Sequence, residues 1–167
     1  MKGLIGGRTA SDMPGLDIAE QKSWQNYLNA ALRMYAELNV RMLEKHQLSL
    51  GDVRLLHTLS NFPDRSARMG DLAETLPSPR SRLTRQTRRL EAKGFLRRAA
   101  SPEDRRGVIA IITDEGRAVA EEAMASYTRE VRKNFIDRLS RSQIAAMENG
   151  CRRIATALKQ TEPLADS

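Results

Sequence analysis

Near the start of the chain, apolar residues recur at steps of four, three, four, three and four: Trp24, Leu28, Ala31, Tyr35, Leu38 and Met42. That spacing keeps one face of a 3.6-residue helix apolar, so it predicts a long amphipathic helix over Ile18–Lys45. A second helix starts at Ser49, which pairs with Asp52 three residues on as a capping box. It turns Val53, Leu56 and Leu59 inward and ends at Asn61–Asp64, where proline cannot continue a helix. A short helix around Met69–Leu76 buries Leu72, Ala73 and Leu76.

The next helix, Ser78–Lys93, is punctuated at both ends. Ser78 reads as its N-cap, Pro79 as its first helical residue and Gly94 as its stop, with Phe95 returning onto Leu90. Leu83, Thr87 and Leu90 share one side, while Ser81, Arg82, Arg85, Arg88 and Arg89 share the other. Two strands follow, Phe95–Ala100 and Val108–Ile112, joined by a charged turn. Thr113 caps a long helix expected to reach about Leu139, striped by Ala120, Met124, Tyr127, Val131 and Phe135. Ser140 and Gln143 open a last helix, striped by Ile144, Met147, Cys151, Ile154 and Leu158 and ended by Pro163.

This order predicts a mainly α protein with a small β-hairpin wing. It is a winged helix-turn-helix, with Ser78–Lys93 in the recognition position and dimerisation helices at both termini. The expected segments are a loose arm over 1–17, a dimerisation region over 18–47 and 113–162, and a DNA-binding domain over 48–112. The terminal helices carry more apolar face than one small domain can cover, so a two-fold homodimer is expected.

Charge sharpens the picture. The chain of 167 residues has a formal net charge of +7. Residues 78–107 hold ten basic and three acidic residues, and the rest of the chain balances. Confinement of the whole surplus to one stretch points to a polyanion partner. Helices with solvated charged faces usually interleave acids, whereas this one sets five arginines against Glu91 alone. The planar guanidinium fork suits guanine edges in the major groove, where a helix fits. Ser81, Arg82 and Arg85, near the helix start, are candidate base contacts. Arg88 and Arg89 are candidate phosphate contacts, and Thr84 completes the expected set. Arg80 lies nearer the buried side.

Other chemistry is thinly represented. One cysteine supports neither a disulfide framework nor a cysteine-rich zinc site, and the two histidines, His46 and His57, make no convincing metal site. Cys151 on its stripe and His57 beside the core face of the second helix are expected as packing residues. No Walker loop, His-Glu-x-x-His or Gly-x-Ser-x-Gly pattern occurs, so neither a cofactor nor enzyme activity is expected. No apolar run approaches the length of a membrane span, and "MKGLIGGRTASDMPG" lacks the apolar stretch of a secretory signal; a cytoplasmic location follows. A sequence-indifferent nucleic-acid-binding or architectural protein remains the alternative to a sequence-specific regulator.

The stretch "LEAKGFLRRAASPEDRRGVIAIITDEGRAV" resembles the signature of the multiple-antibiotic-resistance regulator (MarR) family, bacterial winged helix-turn-helix repressors. The specific part is the Asp104-Arg105-Arg106 turn, followed by a strand, Thr113 and Gly116, while "MGDLAETL" and "SRLTRQTRRLE" resemble the family's helix-turn-helix. The resemblance covers roughly Leu48–Val119 and implies a triangular homodimer on a pseudo-palindromic operator in double-stranded DNA. It assigns insertion into the minor groove to Arg106 and support of that arginine to Asp104; Arg105 adds a phosphate contact. It also implies a repressor relieved by a small aromatic acid or phenol, bound between the dimer helices and the DNA-binding lobe. Trp24, Tyr27, Met34, Tyr35 and His57 are the candidate lining. Relatives that sense oxidants do so through a cysteine in the first helix, and this chain has none there.

Overall fold

The computed structural model describes residues 12–76, 78–101 and 107–161. Its helices are α1 (Ile18–His46), α2 (Leu50–Ser60), α3 (Met69–Thr75), α4 (Arg80–Ala92), α5 (Asp114–Asn134) and α6 (Arg141–Thr161). Its strands are β1 (Ser66–Arg68), β2 (Leu96–Ala100) and β3 (Val108–Ile112), antiparallel in the order β1-β3-β2. The expected hairpin is therefore part of a three-stranded sheet, with Ala67 opposite Ala110 and Leu96 opposite Ile112. Asp64 and Arg65, at φ 55° and 54°, turn the chain sharply into β1 after α2.

The core lies where α2, α3, α4 and the sheet meet. Leu55, Leu56, Leu59, Leu72, Leu83 and Leu90 have no exposed surface there. Each buried leucine contributes about 1.5–3 kcal/mol relative to an exposed one. α1 buries Leu38 and Met42 in this core and packs Met34 against it; α5 buries Ala120 and Ala123 there and packs Val119, Met124, Tyr127 and Val131 against it. The rest of the α1 stripe is open: Trp24, Tyr27, Leu28 and Tyr35 are all exposed. α6 is exposed at every described side chain but Ile144, with Ile154 56% and Leu158 64% exposed.

Three capping expectations meet the structure directly. Asp52 N donates to Ser49 Oγ at 3.1 Å and Ser49 N to Asp52 Oδ2 at 2.9 Å. Thr113 Oγ1 accepts from Gly116 N at 3.0 Å, and Ser140 with Gln143 forms the reciprocal pair at 2.8 and 3.3 Å. Others differ. α4 begins at Arg80 with Pro79 in the cap position and no side-chain cap, so Ser78 is not its N-cap. β2 begins at Leu96, one residue after the expected start. α5 ends at Asn134 because Phe135 leaves helical geometry, and a single 3-10 turn at Ile136–Arg138 follows. Cys151 and His57 are exposed rather than packed, the first because nothing in one chain covers α6. His57 Nε2 lies 3.3 Å from Nδ2 of Asn61, the residue that caps the same helix.

Candidate nucleic-acid interface

α4 owes its place to three side chains. Leu83, Thr87 and Leu90 are fully buried, and the Thr87 hydroxyl is satisfied by donating to Thr84 O at 3.0 Å. The helix stops in a Schellman motif: Phe95 N donates to Leu90 O at 3.0 Å and Gly94 N to Glu91 O at 2.9 Å, with Gly94 at φ 76°. The motif residues that follow bind this stop to α5. Thr113 Oγ1 donates to Gly94 O at 2.7 Å, and Thr113 N donates to Phe95 O at 3.1 Å. A Cβ at Gly116 would lie 1.8 Å from Phe95 O, so only glycine permits this close approach.

With its inner face fixed, α4 turns Ser81, Arg82, Arg85, Arg88 and Arg89 outward, all exposed, along with Arg80. Arg80 therefore belongs to the exposed set despite its position on the wheel. Thr84 is half-buried, and its hydroxyl donates to Arg80 O at 2.9 Å. Among the described residues, Arg80, Arg82, Arg85 and Arg88 make no ion pair. Neighbouring like charges on one helix repel; Arg88 also draws on the Glu91 carboxylate one turn on, so the repulsion falls mainly on Arg80, Arg82 and Arg85.

The end of α4 is different. Arg89 Nη2 lies 2.6 and 2.7 Å from the two Asp52 oxygens, and Gln86 Nε2 donates to Asp52 Oδ1 at 3.1 Å. Lys93 Nζ donates to Gln47 O at 2.8 Å. Glu91 receives the Arg98 side chain at 2.7 Å and the Arg98 backbone N–H at 2.9 Å, which hold its carboxyl below the ordinary value of 4.5. The Glu91–Arg98 tie joins α4 to the wing strand β2. Sequence reasoning missed Asp52, Gln86 and Glu91 as structural partners of the basic helix. Only the acid at 91 carried a signal, because it stands alone among arginines.

Beyond β2 the wing closes with Ser101 N donating to Gly107 O at 2.8 Å. Asp104, Arg105 and Arg106 lie outside the described residues, between those two.

Two clefts flank α4. One, of about 640 Å³, opens toward α1 and α2 and includes Tyr35, Asn39, Arg54, Arg82, Arg85 and Arg89. The other, of about 550 Å³, faces the wing and includes Arg68, Arg80, Thr84, Arg88 and Arg98. A third cavity, of about 600 Å³, lies between α1 and the α5–α6 junction and includes Tyr27, Met34, Phe135, Leu139 and Met147. The five residues expected around an effector therefore separate. Tyr27 and Met34 share the third cavity, and Trp24 only neighbours it, its ring 6.1 Å from that of Tyr27. Tyr35 turns to the arginine-rich cleft, and His57 lines none of the three. The cause is helical geometry: Met34 and Tyr35 are adjacent and project about 100° apart.

Among the described residues, no helix is long and apolar enough to cross a membrane, and no group of acidic, His or Cys side chains is arranged to hold a metal.

A model of the MarR family matches residues 46–107. The chain is similar to Sco3205, a MarR family transcriptional regulator from Streptomyces coelicolor solved in complex with DNA. The two are 33% identical with a TM-score of 0.86, covering 90% of this chain and 95% of that one. AbsC, another MarR family transcriptional regulator from Streptomyces coelicolor, is 28% identical with a TM-score of 0.83, covering 89% of this chain and 100% of the other. The multiple antibiotic resistance protein MarR of Salmonella typhimurium is 28% identical over 78 residues, or 47% of this chain. That alignment spans about half of the relative, 54% of its length.

Proposed function

The chain belongs to the MarR family of transcriptional regulators, and from that premise we propose that it is a homodimeric repressor that reads a pseudo-palindromic operator in duplex DNA. The observation that carries the reading is the exposed, unpaired row Arg82, Arg85 and Arg88 on a helix whose other side is fully buried. α4 enters the major groove with Ser81, Arg82 and Arg85 toward base edges and Arg88 toward phosphate. Arg106 at the wing tip enters the minor groove, where the negative potential attracts a cation, and Asp104 orients it. Thr84 supports α4 from the wing side, and Arg105 adds a phosphate contact. A protein of this family acts as a regulator and not as an enzyme, and its site of action is the cytoplasm.

The uncovered faces of α1 and α6 support the dimer. Trp24, Leu28, Ile154 and Leu158 leave apolar area on both terminal helices that a second copy buries. The effector belongs in the cleft between α1, α2 and α4, where Tyr35 offers a ring and Arg54, Arg82 and Arg85 offer charge to an aromatic carboxylate. An acid seated there competes with DNA for two reading arginines.

Selection of a duplex from a randomised pool, followed by mobility-shift titration against random DNA, tests the reading. A regulator prefers its selected duplex by about 10³-fold or more, with half-sites about one helical turn apart. Equal affinity for random DNA makes it a sequence-indifferent binder instead. An aromatic acid that neither releases the duplex nor raises the melting temperature rejects the effector cleft.

A further inference from the structure

We propose that Asp52 is the positioning residue of the DNA-reading helix and that Arg89 is its tether. The inference rests on the reading of α4 as the base-reading helix, and it adds a residue from outside the basic stretch. The Asp52 side chain is only 3% exposed. Its Oδ2 accepts from Ser49 N at 2.9 Å, its Oδ1 accepts from Gln86 Nε2 at 3.1 Å, and both oxygens meet Arg89 Nη2. The capping box fixes the carboxylate at the start of α2. The carboxylate then fixes α4 at two points rather than one.

Two points matter because a single attachment leaves a helix free to pivot. Gln86 lies one turn beyond Arg82, and Arg89 one turn beyond Arg85, in the same i,i+4 rows. Each anchored side chain thus governs the row that carries a reading arginine. Lys93, one turn beyond Arg89, extends the second row to Gln47 O at 2.8 Å. The electrostatics point the same way. A buried carboxylate beside the DNA-facing helix neutralises one of its cations, which weakens attraction to any polyanion. What it adds is orientation, a property that discriminates among duplexes.

The experiment uses the full chain, a duplex selected by the wild-type protein and a random duplex of equal length. Affinities are measured across a salt series with thermal melting alongside. Asp52→Asn is expected to lower the selected-to-random ratio by about 10-fold or more, the scale of one lost base-pair match. Its affinity for random DNA stays equal or rises, because the variant loses one negative charge and Arg89 is no longer neutralised. Arg89→Gln, which leaves the capping box intact, lowers the ratio similarly with an unchanged salt slope, and Arg89→Lys restores much of it. A ratio within twofold of wild type in both Asp52→Asn and Arg89→Gln overturns the proposal. So does an Arg89→Gln variant that weakens both duplexes equally and makes the salt slope shallower by about 0.9, since that is a phosphate contact. Should Asp52→Asn lose cooperative melting, Arg89→Gln decides by the same criteria. Wild-type protein without sequence preference removes the underlying reading, and the inference with it, before any variant is compared.

Discussion

Arg82, Arg85 and Arg88, in the earlier turns of α4, are exposed and make no ion pair among the described residues. Arg89, one residue later, lies 2.6 Å from a carboxylate 37 positions earlier in the chain. The last turn continues in that manner, with Glu91 on Arg98 and Lys93 on Gln47. One run of basic residues therefore holds two kinds of group. The earlier arginines stay exposed to solvent and, on the proposed reading, meet an outside anion; Arg89 secures the helix to Asp52 of α2, Lys93 to the turn after α1, and Glu91 to the wing. On that reading, binding and orientation are separated along a single helix.

Replacing Arg82, Arg85 and Arg88 together with alanine tests this contrast most strongly. Operator affinity in about 0.15 M salt should fall about 10³-fold or more, because base and phosphate contacts are lost together. The melting temperature should change little, because relieved repulsion offsets the lost attraction of Arg88 to Glu91. A large loss of stability would show that these groups hold the fold and would erase the contrast. Arg85→Ala alone should cost about 1–3 kcal/mol in operator binding and relax preference at one base pair, visible in a mobility-shift series over single-base variants.

Thr113→Val acts on the other end of the helix. It removes the donor to Gly94 O and the cap of α5, so thermal melting should show a loss of about 1 kcal/mol, the usual scale for a lost cap. Affinity should change less than in Arg85→Ala. The reverse ranking would mean that the end of α4 matters more for reading DNA than its free arginines.

Glu91→Gln is the subtlest. Arg98 depresses the Glu91 carboxyl below 4.5, so the charged form contributes stability that is present above that value. That contribution fades as pH falls through the lowered folded value. Wild type should therefore melt above the variant at neutral pH, with the gap closing on acidification. A gap that widens toward low pH contradicts the tie.

Most elements with local signals were legible in the sequence, the start of α4 excepted, where Pro79 and not Ser78 holds the cap position. The Ser49–Asp52 and Ser140–Gln143 boxes, the Gly94 stop and the Thr113 cap each depend on residues within a few positions, and the structure contains all four. β1 was not legible, because three residues, Ser66–Arg68, carry no alternation to detect and owe their pairing to β3. The exposed outer face of α4 followed from the wheel. Its division into free and tethered arginines did not, because Arg89 finds its partner only in three dimensions. The exposure of Cys151 and of the outer α1 stripe has a related reason: apolar spacing reports that a face is to be covered, not which chain covers it, and a partner chain is the cover expected for both terminal helices. Within one chain, Met34 and Tyr35 face different cavities because they lie side by side on a helix.

The central claim, that the exposed arginine face of α4 meets duplex DNA, is tested most directly by a salt titration of operator binding. Contacts to about 6–10 phosphates predict an affinity loss of about 10³–10⁵-fold between 50 and 200 mM salt. An affinity that hardly changes over that range would contradict the account.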